Sequence, residues 1–241
     1  MIKEIFGQRF GIYDLDVPDT INEDLINLAY HINSESMHIN PVVDPGTHPS
    51  ETIYTSNTNS YVGAHMGLLN RMHLYSSFPS EFISSFINPV IESYIEATNY
   101  VDCGIPDLMP YVERCWFTLI VKDDSIDIHN HDKAGSLAIA YYPDDMIDKG
   151  NFLVFSHGLD ADIFSKEVNP RHELIETKKS RLIIFPSHMY HCTECNLSDQ
   201  TRISYSMDVN FIGTETFMPP VELIETVHKS FKQRLNFIGE A

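Results

Sequence analysis

The second half of the chain is a succession of short strand-like segments, and this pattern restricts the fold more than any other feature of the sequence. From about residue 112, runs rich in β-branched and aromatic residues alternate with turn residues such as Pro, Asp, Asn and Gly. Such a series is typical of a closed or two-sheet β architecture, for example a jelly roll. The predicted strands are Arg114–Lys122, Ser125–His131, Ser136–Tyr142, Asn151–Ser156, His172–Thr177, Arg181–Phe185, Met189–Cys192 and Thr201–Phe211.

The first hundred residues have a different pattern and are predicted to be partly helical. Ile21–Ile32 places its apolar side chains on one helical face. Glu81–Tyr100 is a second amphipathic stretch, which Pro89 should kink or interrupt. Between them, Ser34–Thr58 is rich in Ser, Asn, Pro, His and Thr and is predicted to be a long irregular loop. Near the end of the chain, a final helix is predicted over Pro219–Phe231.

Length and hydrophobicity favour one domain with a sizeable core. The chain has 241 residues, of which 43% are hydrophobic. We therefore predict a single domain over 1–241. It would consist of a helical and loop-rich N-terminal part at 1–111, a β core at 112–212 on which that part packs, and a C-terminal helical extension at 213–241.

The charge of the chain restricts its partners. Its net charge is −18, with 34 acidic residues against 16 basic ones. Such a surface repels phosphate backbones, so no nucleic-acid partner is expected, although a local basic pocket could still bind a small anion. A neutral or basic partner is favoured instead. The oligomeric state is left open.

The cysteines and apolar segments indicate a reducing compartment. Four cysteines are too few for a disulfide scaffold of this size. The first ten residues contain no apolar signal region, and the longest apolar runs, such as Leu182–Phe185, are far too short to span a membrane. We therefore expect a cytoplasmic protein without a membrane partner.

Three histidines have the spacing of a metal site. His129 and His131 lie two residues apart on a strand-like run, so their side chains would point to the same face about 7 Å apart. His191 follows at the end of another strand-like run. A close pair with one distant ligand is typical of a facial triad, which leaves three coordination positions open. Those positions suit a bidentate co-substrate and dioxygen.

Arg202 and Ser204 follow His191 after a short turn and also lie two residues apart. On a strand they would share a face. A guanidinium group beside a hydroxyl group is a good receptor for a carboxylate in a partly buried pocket. The arrangement fits a dicarboxylate with one end on the metal and the other end on Arg202.

The order and spacing of five motifs resemble a family of 2-oxoglutarate/Fe(II)-dependent oxygenases that is found in marine bacteria and cyanophages and is related to the prolyl 4-hydroxylase group. The family pattern resembles W-F-N, H-x-H-P, S-G-x-x-Y, F-P-S-x-x-x-H and R-I-S-x-S-F-N. The resemblance covers about Glu113 to Phe211. The corresponding segments here are Trp116-Phe117, His129-x-His131, Tyr141-Tyr142, Phe185-Pro186-Ser187-x-x-x-His191 and Arg202-Ile203-Ser204.

For the site residues, the resemblance implies specific roles. His129, His131 and His191 would be the iron ligands. Arg202 would anchor the distal carboxylate of 2-oxoglutarate with help from Ser204. Beside these, Tyr141 would line the co-substrate pocket, and Phe185-Pro186-Ser187 would form the turn that orients the last histidine.

For the whole protein, the resemblance implies a mainly β, double-stranded β-helix (jelly-roll, cupin-like) fold with flanking N-terminal helices and a C-terminal helix. The cofactors would be Fe(II), 2-oxoglutarate and O2. The reaction would be hydroxylation of a C–H bond with release of succinate and CO2. The relation to prolyl hydroxylases suggests a peptidyl or amino-acid substrate. If the chain is phage-encoded, its compartment would be the host cytoplasm.

The sequence departs from the related patterns at several positions. Most oxygenases of the wider superfamily have H-x-D, whereas the second position here is His131. Three neutral imidazoles would leave the iron site one negative charge short. Asp132 could be a ligand only if the strand bulges. Other departures are Asp132 for the Pro, Thr118 for the Asn, and Leu137-Ala138 for the Ser-Gly of the pattern.

Three alternatives remain open from the sequence. The first is a cupin-type dioxygenase with a three-histidine iron site that needs no 2-oxoglutarate and binds an acidic substrate through Arg202. The second is a metal-binding or structural β-barrel protein without turnover. The third is a structural zinc site, for which the candidate ligands are His188, His191, Cys192 and Cys195.

Overall fold

The computed structural model describes residues 1–38, 61–62, 82–100, 108–131, 136–156 and 171–213. The predicted C-terminal helix and most of the predicted long loop lie outside these residues. The described strands are β1 (Ile2–Ile5), β2 (Gln8–Asp14), β3 (Tyr61–Val62), β4 (Leu108–Ile120), β5 (Leu137–Tyr142), β6 (Phe152–Phe155), β7 (His172–Ile175), β8 (Arg181–Pro186), β9 (His191–Thr193) and β10 (Arg202–Gly213).

These strands form two antiparallel sheets. The major sheet has seven strands in the order β1-β2-β8-β5-β10-β4-β3, and the minor sheet has three in the order β7-β6-β9. Strand β10 lies between β4 and β5: Arg202 is opposite Ile120 on one side, and Tyr205 is opposite Tyr141 on the other. This arrangement confirms the predicted mainly β, two-sheet architecture.

Side-chain alternation along the major sheet creates two separate hydrophobic cores. Along β5, Ala138 and Tyr142 point towards the minor sheet and pack with Phe152. The alternate residues Leu137, Ile139 and Tyr141 point to the opposite face and pack against the helices. We call the space between the two sheets the inner core. The site residues described below reach it from both sheets.

The N-terminal part differs from its prediction because it begins with strands. Strands β1 and β2 pair from Ile5 and Gln8 outwards, so Phe6 and Gly7 alone form the hairpin loop. Both loop residues have positive φ, 51° and 76°, as a tight hairpin turn of type I′ requires. Strand β2 then pairs with β8, which makes this hairpin an edge of the major sheet.

The predicted division of the chain into parts at 1–111, 112–212 and 213–241 stays a prediction.

Both predicted helices are present. Helix α1 (Asp19–His38) extends past its predicted end, so the start of the predicted Ser34–Thr58 loop is helical. The second helical segment is a π-helical turn (Ile83–Ile87) followed by α2 (Asn88–Thr98). Its interruption falls beside Pro89 as predicted, because proline lacks the N–H of a regular turn and crowds the turn before it. No helix within the described ranges is long and apolar enough to span a bilayer.

One predicted strand is wrong. Residues Ser125–His131 do not form a strand, and only His129 makes a β-bridge, to His191. The other predicted strands of the second half occur within a few residues of their expected ends, except that β4 begins earlier and β9 begins and ends slightly later.

Gly11 in β2 should be sensitive to any added side chain. A Cβ atom there would lie 2.6 Å from Ile184 Cγ2, 2.6 Å from Tyr13 Cε2 and 2.9 Å from Tyr94 Cδ2. Overpacking of this kind costs about 1–3 kcal/mol. We expect Gly11→Ala to lower the free energy of unfolding by about that amount in urea titrations. Ser93→Ala on the exposed face of α2 should change it by less than about 0.5 kcal/mol. Equal stability of the two variants would contradict this packing.

Candidate metal centre

Three imidazole rings converge beside the inner core. The ring centroids are 5.2 Å apart for His129 and His131, 4.3 Å for His129 and His191, and 5.1 Å for His131 and His191. One ligand nitrogen from each ring lies within 4.8 Å of the others. The structure thus brings together the three histidines singled out in the sequence, although two of them do not lie on the strand that was predicted for them.

Backbone hydrogen bonds hold these histidines in register. The backbone N–H of His129 donates to the carbonyl of His191, and the reverse bond is also made, each at 2.9 Å. His131 donates its backbone N–H to the carbonyl of Ser187 at 2.8 Å. Strand β8 ends at Pro186, and Met189 closes the following turn by donating to the carbonyl of Pro186. The Phe185-Pro186-Ser187 segment therefore leads into the turn before His191.

The side-chain hydrogen bonds fix the tautomer of all three rings. Nδ1 of His129 lies 2.8 Å from the carbonyl oxygen of Asp127, and Nδ1 of His191 lies 2.9 Å from the carbonyl oxygen of Met189. Nδ1 of His131 lies 2.8 Å from a carboxylate oxygen of Asp208. Because carbonyl and carboxylate oxygens accept, each Nδ1 carries the hydrogen and each Nε2 keeps its lone pair for a metal ion.

Burial keeps two of the rings in the neutral, ligand form. Desolvation, followed by repulsion from His131, lowers the pKa of His129 to about 4. Burial likewise lowers the pKa of His191 well below its ordinary value. A metal ion at neutral pH would therefore not have to displace a proton from either of these two rings.

Asp208 is a part of this centre that was missed in the sequence. Its side chain is 1% exposed and lies on the face of β10 that also carries Arg202 and Ser204. The sequence did contain a signal, because Asp208 stands where the resembling family pattern R-I-S-x-S-F-N ends in Asn. Its contact with His131 could not be read from that pattern.

Aromatic side chains surround the histidines. Phe185 and Phe152 lie with their ring centroids 4.9 Å and 5.2 Å from that of His191. Trp116 lies 5.4 Å from the ring of His131. These rings limit the access of water to the histidines. Trp116, which is the single tryptophan of the chain, therefore lies beside the cluster.

Arg202 is fully buried at the other end of the inner face of β10. Its Nη1 donates to the carbonyls of Lys149 and Glu194, both at 3.2 Å, and its Nη2 donates to Thr193 Oγ1 at 2.6 Å. Among the described residues, its Nε has no hydrogen-bond partner. Within the described part of the chain, no carboxylate forms an ion pair with Arg202. Burial lowers the pKa of Arg202 to about 10, so the group remains a cation at neutral pH.

The position of Arg202 relative to the histidines follows from strand β9. The guanidinium group touches Thr193, which lies two residues after His191 on β9 and so shares its face. Two residues on a strand span about 6.6 Å. This backbone spacing is comparable to the length of a five-carbon dicarboxylate.

Of the two other predicted site residues, one lies in the inner core and one does not. Ser204 lies opposite Thr118, and their hydroxyl oxygens are 2.6 Å apart. Tyr141 lies on the opposite face of β5, where its hydroxyl group donates to Asn22 at 2.6 Å. Its neighbour Tyr142 faces the inner core and is close enough to interact electrostatically with Arg202. Tyr142, and not Tyr141, therefore lies on the face of β5 that is turned towards Arg202.

Two other predictions concern nearby ligands. Asp132, the alternative second ligand, lies outside the described residues. The structural zinc site is not assembled: among the residues that the structure describes, the histidine triad is the only group of three or more potential ligands with suitable spacing. Cys192 and Cys195 are free thiols.

Comparison with known proteins gives one family and several solved structures. Residues 114–208 match the model of a family described as "Putative 2OG-Fe(II) oxygenase". The alpha ketoglutarate dependent carbocyclase SnoK from nogalamycin biosynthesis shares 10% identity at a TM-score of 0.50, over 83% of this chain and 79% of SnoK. This likeness confirms the fold. No curated protein sequence matches the chain.

Two prolyl hydroxylases are also similar. A Pseudomonas putida prolyl-4-hydroxylase has 12% identity and a TM-score of 0.46, over 85% of this chain and 92% of that one. A prolyl hydroxylase from Trichoplax adhaerens, solved with a peptide fragment of the oxygen degradation domain of hypoxia inducible factor, has 11% identity and a TM-score of 0.48. That match covers 86% of this chain and 84% of the other.

The family match confirms the resemblance inferred from the motifs. Residues 114–208, the core segment of this chain, are similar to a family of 2-oxoglutarate/Fe(II)-dependent oxygenases. The family implies Fe(II), 2-oxoglutarate and O2 as its metal and co-substrates. The donor set fits that group, because the three imidazoles each offer one ring nitrogen within 4.8 Å of the others and a buried guanidinium group has an Nε without a hydrogen-bond partner among the described residues.

Metal binding should be visible in the fluorescence of Trp116. The single tryptophan lies next to His131, and a paramagnetic ion held by the three rings would quench it at short range. We expect anaerobic titration with Co(II) to quench the emission with a stoichiometry of one ion per chain. His191→Ala should abolish this quenching, whereas the exposed His188→Ala should preserve it. Quenching that persists unchanged in His191→Ala would exclude this centre.

Proposed function

We propose that this protein is a dioxygenase that hydroxylates a C–H bond of its substrate and converts 2-oxoglutarate to succinate and CO2. The observation that carries the proposal is the pairing of a three-histidine cluster of fixed tautomer with a buried cation, Arg202, which donates to Thr193, two residues from His191 on β9. A three-histidine cluster alone, or a buried arginine alone, also occurs in proteins with other functions. Their combination on the two sheets of one jelly roll matches what an oxygenase of this kind requires.

In this proposal His129, His131 and His191 hold Fe(II) through Nε2. Bound iron would supply the chemistry of the reaction by chelating 2-oxoglutarate and activating dioxygen. Three protein ligands of this kind would leave the remaining coordination positions of the ion for small molecules. Their Nδ1 hydrogen bonds restrict ring rotation, so the protein has little reorganisation to do when metal binds.

Arg202 would bind the distal carboxylate of 2-oxoglutarate. A guanidinium group has five N–H donors, and three of these are used by Lys149, Glu194 and Thr193. The Nε hydrogen and one hydrogen on Nη2 are left for the two oxygens of a carboxylate, which such a fork binds in a bidentate manner. Those three protein contacts hold the group in place before the ligand arrives.

Hydroxyl and aromatic groups would complete the pocket. Ser204, paired with Thr118, lies two residues from Arg202 on the same face of β10 and can donate to the same carboxylate. Tyr142 adds a second polar group near Arg202. Around the metal end, Phe185 and Phe152 exclude water, which protects a reactive centre from side reactions.

The substrate class is a separate proposal. We propose a peptidyl or amino-acid substrate, on the sequence resemblance to the prolyl 4-hydroxylase group. The acidic composition of the chain favours a neutral or basic one. A cytoplasmic location, or the cytoplasm of a bacterial host if the chain is phage-encoded, stays a prediction.

The role of Arg202 can be separated from metal binding. In anaerobic titrations of the Fe(II) protein with 2-oxoglutarate, the chelate should produce a weak visible charge-transfer band. Arg202→Lys keeps the charge but removes the fork, and loss of a charge-assisted hydrogen bond costs about 1.5–3 kcal/mol. We therefore expect the 2-oxoglutarate Kd to rise by roughly 10- to 100-fold, while Co(II) quenching of Trp116 stays unchanged.

Arg181→Lys is the matched control, because Arg181 pairs with Asp14 outside the centre. It should leave the affinity for 2-oxoglutarate as it is. If Arg202→Lys also leaves that affinity unaltered, the co-substrate assignment fails.

The all-histidine donor set supports one alternative. A cupin-type dioxygenase without 2-oxoglutarate could use the same three imidazoles, with Arg202 binding an acidic substrate directly. The products distinguish the two functions: the proposed reaction forms one succinate for each 2-oxoglutarate consumed. Oxygen consumption by the Fe(II) protein without succinate would favour the cupin-type reaction.

A further inference from the structure

The three histidines differ in what holds their Nδ1 atoms. His129 and His191 each donate to a main-chain carbonyl two residues earlier, at Asp127 and Met189. These acceptors belong to the local backbone and would be present whatever side chains stood there. His131 donates to a side chain on a distant strand, the carboxylate of Asp208. Its orientation therefore depends on one replaceable residue.

From this contrast we propose that Asp208 is the positioning residue that makes His131 a metal ligand and brings a carboxylate charge to the three-histidine centre. The inference rests on the proposed function, because it takes the three imidazoles to be iron ligands. Asp208 does not itself bind the metal in this arrangement. It acts through His131.

The chemistry of a carboxylate explains why this residue type matters. An ionised carboxylate only accepts hydrogen bonds, so it requires the hydrogen of His131 to be on Nδ1 and the lone pair to be on Nε2. An amide in the same place, such as the Asn of the family pattern, could accept the same hydrogen through its oxygen, but it carries no charge and could also offer its N–H to Nδ1, which would stabilise the opposite tautomer. A negative charge next to the ring also raises the basicity of the bound imidazole.

The charge has a second consequence. In the common two-histidine, one-carboxylate triad, the negative charge is on a ligand. Here the third ring takes that coordination position, and the carboxylate is one hydrogen bond further away, 2.8 Å from Nδ1 of His131. The side chain of Asp208 is 1% exposed, so its interaction with the ring is weakly screened.

Regular alternation along β10 directs the side chain of Asp208 to the inner face, because its neighbours Met207 and Val209 both pack in the helix-facing core. The pairing of β10 with β4 shifts register beside Asp208, and the extra residue of this β-bulge, Glu113, lies in β4. The same strand carries Arg202 six residues earlier, so β10 would hold both the metal-orienting group and the co-substrate-binding group.

Metal affinity tests the proposal through a property other than turnover. We expect Asp208→Asn, which has nearly the same volume, to weaken Co(II) binding by about 10- to 100-fold, measured by quenching of Trp116. The d–d absorption bands of bound Co(II) should also change, because one ligand is lost or weakened. Asp199→Asn removes the same charge at a fully exposed position and should leave both properties unchanged.

A second measurement needs no variant and remains valid if Asp208→Asn does not fold. In the metal-free wild-type protein, long-range 1H–15N correlations of the imidazole rings should show His131 as the Nδ1–H tautomer. The Nε2–H tautomer would overturn the proposal.

Co(II) binding distinguishes a failure of the role of Asp208 from a failure of the proposed function. If the wild-type protein binds Co(II) and Asp208→Asn binds it equally well with an unchanged spectrum, Asp208 is not a positioning residue but the proposed function stands. If the wild-type protein binds no metal at this centre, the proposed function fails and the role of Asp208 fails with it.

Discussion

The reciprocal pair of backbone hydrogen bonds between His129 and His191 is the interaction on which the centre depends. It joins a non-strand segment that follows β4 to the start of β9 in the minor sheet. Because both bonds involve the main chain, they place the two imidazoles side by side without relying on any other side chain. The bond from the backbone N–H of His131 to the carbonyl of Ser187 then fixes the backbone of the third histidine, while its ring is held by Asp208. The clustering of the three histidines is thus a consequence of main-chain pairing between the segment after β4 and the segment that leads into β9.

Strand β10 connects this centre to the rest of the fold. It lies in the middle of the major sheet between β4 and β5, and its outward residues pack against the helices. Its inward residues include Asp208 at the metal end and Arg202 at the other. A rigid central strand keeps the distance between these two groups constant, as binding both ends of a small co-substrate requires.

The sequence predicted the members of the centre better than their surroundings. The two-residue spacing of His129 and His131 predicted neighbouring rings, and the rings are neighbours although no strand forms there. An extended backbone alternates its side chains whether or not it pairs. The last histidine and Arg202 were located by the order of motifs around them, while their assignment as ligand and anchor stays a proposal.

What the sequence could not provide was the relation between distant segments. The contact of Asp208 with His131 depends on how β10 lies against a loop 77 residues away. The choice between Tyr141 and Tyr142 depends on which face of β5 is inward, and a shift of one residue reverses it. Strands β1 and β2 were missed because they are short, interrupted by charged residues, and joined by Phe6-Gly7 rather than by the more recognisable Asn-Gly turn.

X-ray absorption spectroscopy of the anaerobic Fe(II) protein would test the central claim most directly. Imidazole rings bound to iron give characteristic outer-shell scattering, and their number can be fitted. The account predicts one iron per chain with three imidazole ligands. A fit that requires no imidazoles, or two imidazoles and a protein carboxylate, would contradict the three-histidine centre.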